Sequence, residues 1–186
     1  MDLPWGDERT RKLVTNVGLI TSDGPHGPNI MACEWTYQLS YRPGLFGISL
    51  GEGKATLDNI RKTKEFGVNI AATDQQTLSS IAGGYTGKET DKVQALKELG
   101  HVFYPGTVIS VPLIKGAAMN AECRLVSETP FGDHVLLVGE VVAATTSDKE
   151  PLVLHGGAYW KLTTPLTKTS ETERERIQAV LGKFQK

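Results

Sequence analysis

The pattern of apolar and polar positions predicts a mainly β chain. Stretches rich in β-branched and other apolar residues occupy residues 12–21, 29–39, 45–50, 66–71, 117–128, 134–146 and 152–163. Gly, Pro and Asp cluster between several of these stretches, as in the Asp-Gly-Pro-His-Gly-Pro sequence at 23–28, which is typical of hairpin turns. Strands joined by hairpins favour a closed antiparallel barrel over a βαβ sheet.

Short helices are predicted between the strands and at the C-terminus. The internal ones are expected at residues 56–64, 74–84 and 91–99. Ser170 and Glu173 have the spacing of a capping box, and apolar residues follow at Ile177, Val180, Leu181 and Phe184. We therefore expect one domain over residues 1–186, with a barrel core at about 12–163 and a C-terminal helix at about 171–184.

Composition excludes several classes of function. The chain has 20 Lys plus Arg against 21 Asp plus Glu, so no basic excess indicates binding to nucleic acid or to an anionic membrane. No apolar run approaches the ~20 residues that span a bilayer, and the N-terminus lacks a signal-peptide pattern, so we expect a cytoplasmic protein. Cys33 and Cys123 have no metal-binding or C-x-x-C spacing and are expected to be free thiols.

Two groups of polar residues are candidates for ligand binding. Thr56 and Asn59 lie three residues apart at a predicted helix start, where Thr56 either caps its own helix or, with Lys54 nearby, helps to bind an anion. The second group lies on the predicted strand at 29–39, where two sets of residues alternate and so point to opposite faces: Asn29, Met31, Cys33 and Trp35 on one, and Ile30, Ala32 and Glu34 on the other. The first set either faces the core or borders a ligand.

Four short motifs occur in a fixed order along this part of the chain. They are N-x-M-x-x-x-W at 29–35, I-S-L at 48–50, T-x-x-N-I at 56–60 and E-F-x-V-N at 65–69. In order and spacing the chain resembles, over about residues 12–162, the flavin reductase-like family of FMN-binding split barrels, which includes the flavoredoxins. The resemblance implies a mainly β, antiparallel split β-barrel of the Greek-key type, with short inserted helices and a C-terminal helix.

The resemblance also implies which residues bind the cofactor, FMN. The expected set is Asn29, Met31, Ala32, Cys33, Glu34, Trp35, Ser49, Leu50, Thr56, Asn59, Ser80 and Lys92. Ser80 and Lys92 have ordinary alternatives, because a helix serine or a lone lysine usually faces solvent. His155 and Tyr159 match a late family segment, although a turn histidine and a half-buried tyrosine are the simpler interpretation. No residue is expected to act as catalytic acid or base, and no metal site is expected.

An FMN-dependent oxidoreductase is the function that the resemblance implies. Electrons would move between NADH, NADPH or a protein donor and free flavin, ferric iron or a protein acceptor. The alternative is a non-catalytic flavin-binding or sensor barrel, since one fold supports several functions. A third hypothesis gives Cys33 redox chemistry beside the flavin. The resemblance also implies a homodimer with FMN at or near the subunit interface, and a redox protein is a possible further partner.

Overall fold

The computed structural model describes residues 1–184, in which the chain forms twelve strands and four α-helices. The strands are β1 (Val14–Asn16), β2 (Gly18–Ser22), β3 (Asn29–Cys33), β4 (Thr36–Tyr41), β5 (Gly44–Gly51), β6 (Glu65–Ile70), β7 (Phe103–Pro105), β8 (Pro112–Ile114), β9 (Met119–Phe131), β10 (His134–Thr146), β11 (Leu152–His155) and β12 (Ala158–Lys161). The helices are α1 (Ala55–Thr63), α2 (Gln76–Gly84), α3 (Lys92–Glu98) and α4 (Glu171–Leu181), and α4 continues into a 3₁₀ turn at Gly182–Phe184.

Seven strands form one antiparallel sheet in the order β3-β2-β6-β9-β10-β5-β4. Its inward side chains and the buried face of α1 form the larger of two apolar cores, which contains the fully buried Phe66. Because every second residue of a strand faces inward, the predicted alternation places half of each strand in this core. The predicted mainly β, antiparallel split-barrel class is confirmed.

A second core lies between the outer side of β2 and β3 and the inserted helices α2 and α3. Ile30 of β3 packs there with Leu78 of α2 and Leu96 of α3, and Ala32 contacts the same cluster. Met31 contacts the larger core instead, so β3 separates the two cores, as the alternation predicts.

Two predicted strands are each divided in the structure. The stretch at 12–21 begins with a 3₁₀ turn and then splits into β1, which pairs with β11 in a separate three-stranded sheet, and β2. The stretch at 29–39 breaks at Glu34, because β3 and β4 lie at opposite edges of the main sheet. Thr36 Oγ1 donates to the carbonyl of Cys33 at 3.0 Å, and the Ser49 N–H donates to the carbonyl of Trp35 at 3.0 Å, which fixes the corner.

The β7–β8 hairpin was not predicted, and a buried carboxylate organises its loop. Glu122 of β9 accepts hydrogen bonds from Thr107, Val108 and Ile109 at 2.7–2.9 Å. Burial acts to raise the pKa of Glu122, but these hydrogen bonds outweigh it and hold the pKa below its usual range. Such a contact over more than ten residues leaves no local sequence pattern, which is why the loop was not foreseen.

The predicted C-terminal helix is present and begins at its predicted cap. Ser170 Oγ accepts from the N–H of Glu173 at 3.3 Å. None of the α4 side chains is buried, and Ile177, Val180 and Leu181 remain exposed. Within residues 1–184, no helix has the length and apolar character needed to cross a membrane.

Candidate functional site

A cleft of about 490 Å³ opens at one end of the barrel. Its walls come from the β3–β4 corner, the end of β5, the start of α1, the β9–β10 turn, the β11–β12 turn and the N-terminal segment. This volume lies within the range of small-molecule and cofactor sites, about 300–1,000 Å³.

The β3–β4 corner supplies the wall that contains most of the expected cofactor residues found in the cleft lining. Six of the twelve expected cofactor residues line the cleft: Met31, Ala32, Cys33, Glu34, Trp35 and Ser49. Residues from both predicted faces of the strand take part, because β3 ends at Cys33 and the chain turns there. The Cys33 sulfur lies 3.5 Å from the carbonyl oxygens of both Trp35 and Ser49. Burial raises the pKa of the Cys33 thiol, so the thiol form is favoured.

The N-cap residue of α1 lines the same cleft. Lys54 is the N-cap residue, its side chain makes no capping hydrogen bond, and it lines the cleft together with Gly51. The N–H groups of Ala55, Thr56 and Leu57 precede the first i→i−4 bond of the helix, which Asp58 donates to the Lys54 carbonyl. The positive end of the helix dipole and a cationic side chain therefore lie together at this end of the cleft.

Asn29 and Thr56 lie behind this helix end and do not line the cleft. The Asn29 side-chain amide donates to Thr56 Oγ1 at 2.9 Å, and both residues are buried. Thr56 is therefore not the helix cap, which was one of its two interpretations. The hydrogen bond ties the start of β3 to the first turn of α1, so it positions two walls of the cleft.

Asn59 holds the β2–β3 turn in place. Its Oδ1 accepts from the His26 N–H at 3.0 Å, and its Nδ2 donates to the Gly27 carbonyl at 2.9 Å and to Ser22 Oγ at 3.2 Å. All of these partners belong to the protein itself, and Asn59 is fully buried outside the cleft lining.

Three other expected residues also lie outside the lining. Leu50 is buried in the larger core, and the exposed Ser80 donates to the Gln76 carbonyl of its own helix at 3.1 Å. Lys92 is buried and donates to the carbonyls of Ala82 and Tyr85 at 3.1 and 3.0 Å, where it closes the end of α2. Burial lowers the pKa of Lys92 to about 8, and the charge of Lys54 acts in the same direction.

His134 is a cleft residue that sequence reasoning missed. Its ring lies 4.6 Å from the Trp35 ring, tilted by 52°, and its Nδ1 lies 2.7 Å from the Asp133 carboxylate. The β5–β10 pairing brings it there by placing His134 opposite Gly51. Only the strand register could have revealed this contact, and no local pattern encodes it.

The two residues from the late family segment take different positions. The His155 Nδ1–H donates to the Leu13 carbonyl at 3.1 Å, and Tyr159 packs half-buried against the second core. Their neighbours Leu154 and Gly157 line the cleft instead. In residues 1–184 there is no group of three or more His, Cys, Asp or Glu side chains arranged to hold a metal ion.

Comparison with known proteins identifies the family. The protein-family model described as "Flavin reductase like domain" matches residues 10–163 of this chain. An NADH-dependent flavin reductase from Rhodococcus sp. is 30% identical over 150 residues, which cover 81% of this chain and 77% of that protein. The NADH-dependent FMN reductase AsuE2 from Streptomyces nodosus subsp. asukaensis is 29% identical over 160 residues, 82% of this chain and 81% of that protein. The solved structure of the flavin reductase PheA2 superposes with a TM-score of 0.74 at 29% identity and covers 88% of this chain and all of that one. This chain belongs to the flavin reductase-like domain family.

Proposed function

We propose that the protein is an FMN-binding oxidoreductase that uses NADH to reduce flavin. The observation that carries this proposal is the cleft itself, in which the Met31–Trp35 wall adjoins the positive end of α1. Family membership and the names of the NADH-dependent relatives support the same activity.

The chemistry of the lining fits FMN. Lys54 and the free N–H groups at the start of α1 provide a site for the phosphate. Met31 and Trp35 provide apolar and aromatic surface for a flat ring, and the Ser49 hydroxyl and the main chain of the corner provide polar contacts. When bound, the flavin supplies the electron storage, and the protein orients it and controls access to it.

Cys33 has a packing role in this proposal rather than a redox role. Its sulfur is buried and hydrogen-bonded between two carbonyl groups, and the raised pKa keeps it protonated at neutral pH. The nearby Glu34 carboxylate disfavours a thiolate further. No side chain is assigned as a catalytic acid or base.

Anaerobic reduction of the FMN-loaded protein tests the proposed function. The purified protein is titrated with FMN, freed of excess flavin, and mixed with NADH or NADPH while the flavin absorption band is followed. We expect bleaching with NADH, and the NADPH arm measures the choice of dinucleotide. A protein that takes up FMN but is bleached by neither would be either a flavin-binding or sensor barrel or an electron carrier that another protein reduces. Adding free FMN, ferric citrate or a candidate redox protein then identifies the acceptor.

Thr56→Ala is expected to weaken FMN retention by about tenfold. The change removes the acceptor of the buried Asn29 amide, and an unsatisfied buried group costs about 1–3 kcal/mol. The first turn of α1, which carries the phosphate site, would then be less well fixed. Thr56→Ser keeps the hydroxyl and serves as the control. Equal FMN dissociation constants for Thr56→Ala and the wild type would contradict this role.

We also propose a homodimer that forms through the outer face of β4, β5 and β10. Over Gly47, which lacks a side chain, the side chains of Leu39 and Leu136 approach one another, and Tyr37 is paired with Gly47 across the strands. Leu39 and Tyr37 are 49% and 46% exposed, which is the apolar surface that interfaces use. This face adjoins Ser49 and therefore lies beside the cleft.

A charge on this face is expected to separate the dimer. Leu39→Glu places a carboxylate within the proposed interface and should halve the mass measured by light scattering during size-exclusion chromatography. Val126→Glu changes another exposed apolar residue, on β9, and should leave the mass unchanged. A monomeric wild type would contradict the proposed dimer and would leave the proposed FMN binding untouched.

We also propose a cytoplasmic location. Two free buried thiols, Cys33 and Cys123, support it.

A further inference from the structure

The N-terminal segment forms a wall of the cleft that lies largely outside the family domain. The family match begins at residue 10, yet Leu3, Pro4, Trp5 and Gly6 line the cleft with Arg11. The first four of these residues therefore precede the part of the chain that the family model matches.

Hydrogen bonds within the segment fold it locally, and one bond at its end, at Leu13, joins it to the barrel. The Asp7 N–H donates to the Pro4 carbonyl at 3.1 Å, and the Arg11 N–H donates to the Asp7 carbonyl at 3.0 Å. The Arg9 guanidinium donates to the Asp7 carboxylate at 2.6–2.8 Å. The ring of His155, on β11, donates to the Leu13 carbonyl. This wall has a defined conformation in which to present side chains.

Trp5 is the unusual side chain of this wall. It is 88% exposed although it borders a cleft, whereas tryptophan in folded proteins is mostly buried. An indole provides a rigid flat surface on which another aromatic ring stacks. A planar ring in the cleft would cover this exposed surface.

Arg11 adds a positive charge on the same wall. Among residues 1–184 no carboxylate lies within ion-pair distance of its guanidinium. Lys54 provides the separate cation at the α1 end of the cleft. Two cations on different walls suit two anionic groups, and a guanidinium is well matched to a phosphate.

We propose that Trp5 and Arg11 form the dinucleotide subsite of this reductase. Trp5 stacks on a flat ring of NADH, and Arg11 pairs with its diphosphate. This assignment rests on the proposed function, since it supplies the second reactant of that reaction. Lys54 and the α1 N-terminus remain the site of the FMN phosphate.

Binding of NAD⁺ to the FMN-loaded protein tests the proposal without turnover. NAD⁺ is titrated by calorimetry into the wild type, Trp5→Ala and Arg11→Ala, and KM and kcat for NADH are measured on the same samples. Matched controls are Tyr41→Ala, which removes an 87% exposed aromatic ring outside the cleft lining, and Lys12→Ala, which removes the neighbouring cation. The FMN dissociation constant of every variant is measured first.

We expect each cleft variant to weaken NAD⁺ binding and to raise KM for NADH by about tenfold, the effect of one lost contact of about 1.4 kcal/mol. The kcat and the FMN dissociation constant should stay within about twofold, and both controls should resemble the wild type. Repeating the titration with AMP and with nicotinamide mononucleotide shows which ring Trp5 contacts, since only that ligand should lose affinity in Trp5→Ala.

Unchanged NAD⁺ affinity in both cleft variants would overturn the subsite. Equal losses of NAD⁺ and FMN affinity would also overturn it, because the wall would then serve the flavin. A wild type that takes up no FMN would be a different result, since it contradicts the proposed function itself.

Discussion

Gly51→Leu is expected to weaken FMN binding by about a hundredfold while leaving the barrel folded. Gly51 ends β5 and lines the cleft, and a Cβ added there would meet only His134 Nε2 and Lys54 Cε, both at 3.8 Å, which is ordinary contact. The fold therefore accepts the side chain, but the rest of the leucine takes space that the cofactor needs. Overpacking costs up to about 3 kcal/mol, so FMN affinity should fall by about a hundredfold.

The adjacent position provides the control for this variant. Glu52→Leu adds the same side chain next to Gly51, but Glu52 is exposed and does not line the cleft. It gives up only an exposed ion pair with Arg61, which is worth little. FMN affinity measured by fluorescence titration, together with Tm, separates binding from folding. A Gly51→Leu protein that binds FMN like the wild type would place the cofactor elsewhere.

Phe66→Ala is expected to destabilise the barrel by about 3–5 kcal/mol, the usual cost of a deleted core aromatic ring. Phe66 is fully buried in the larger core. Natural domains are stable by only about 5–15 kcal/mol, so this loss should be large in urea unfolding. Phe131→Ala, at a 61% exposed aromatic residue, should change the free energy of unfolding by less than about 0.5 kcal/mol.

A substitution at Gly139 tests whether the Phe66 ring stabilises the barrel through its packing against β10. A Cβ added at Gly139 would clash with the Phe66 ring and would lie 2.9 Å from Cys123 Cβ. Gly139→Ala should therefore be destabilising alone, and part of that cost should vanish when Phe66 is alanine. Residues in direct contact usually couple by about 0.5–3 kcal/mol in such a cycle. Strict additivity would mean that Phe66 and Gly139 do not pack together.

The fold class was predictable because strand alternation and turn residues are local signals. The long hairpin of β9 and β10 was expected within a few residues of its bounds, and the predicted cap of the C-terminal helix, Ser170, occurs. The break at Glu34 was not predictable, since it depends on β3 and β4 pairing at opposite edges of the sheet. That pairing is a property of the whole sheet and has no local signature.

The cleft was predictable where one stretch of chain builds it. The Met31–Trp35 corner is such a stretch, and family resemblance pointed to it directly. Asn29, Thr56 and Asn59 occur in the same motifs, but their side chains bond to the protein around the cleft. A motif records that a residue matters near a site and does not distinguish a ligand contact from a supporting contact. His134 and Trp5 come from distant parts of the chain, so only the folded arrangement reveals them.

A crystal structure of the protein grown with excess FMN tests the central claim most directly. We expect the isoalloxazine beside Met31 and Trp35, with the phosphate at Lys54 and the first N–H groups of α1. Well-ordered crystals in which this cleft holds only water, or in which FMN binds on another surface, would contradict the account.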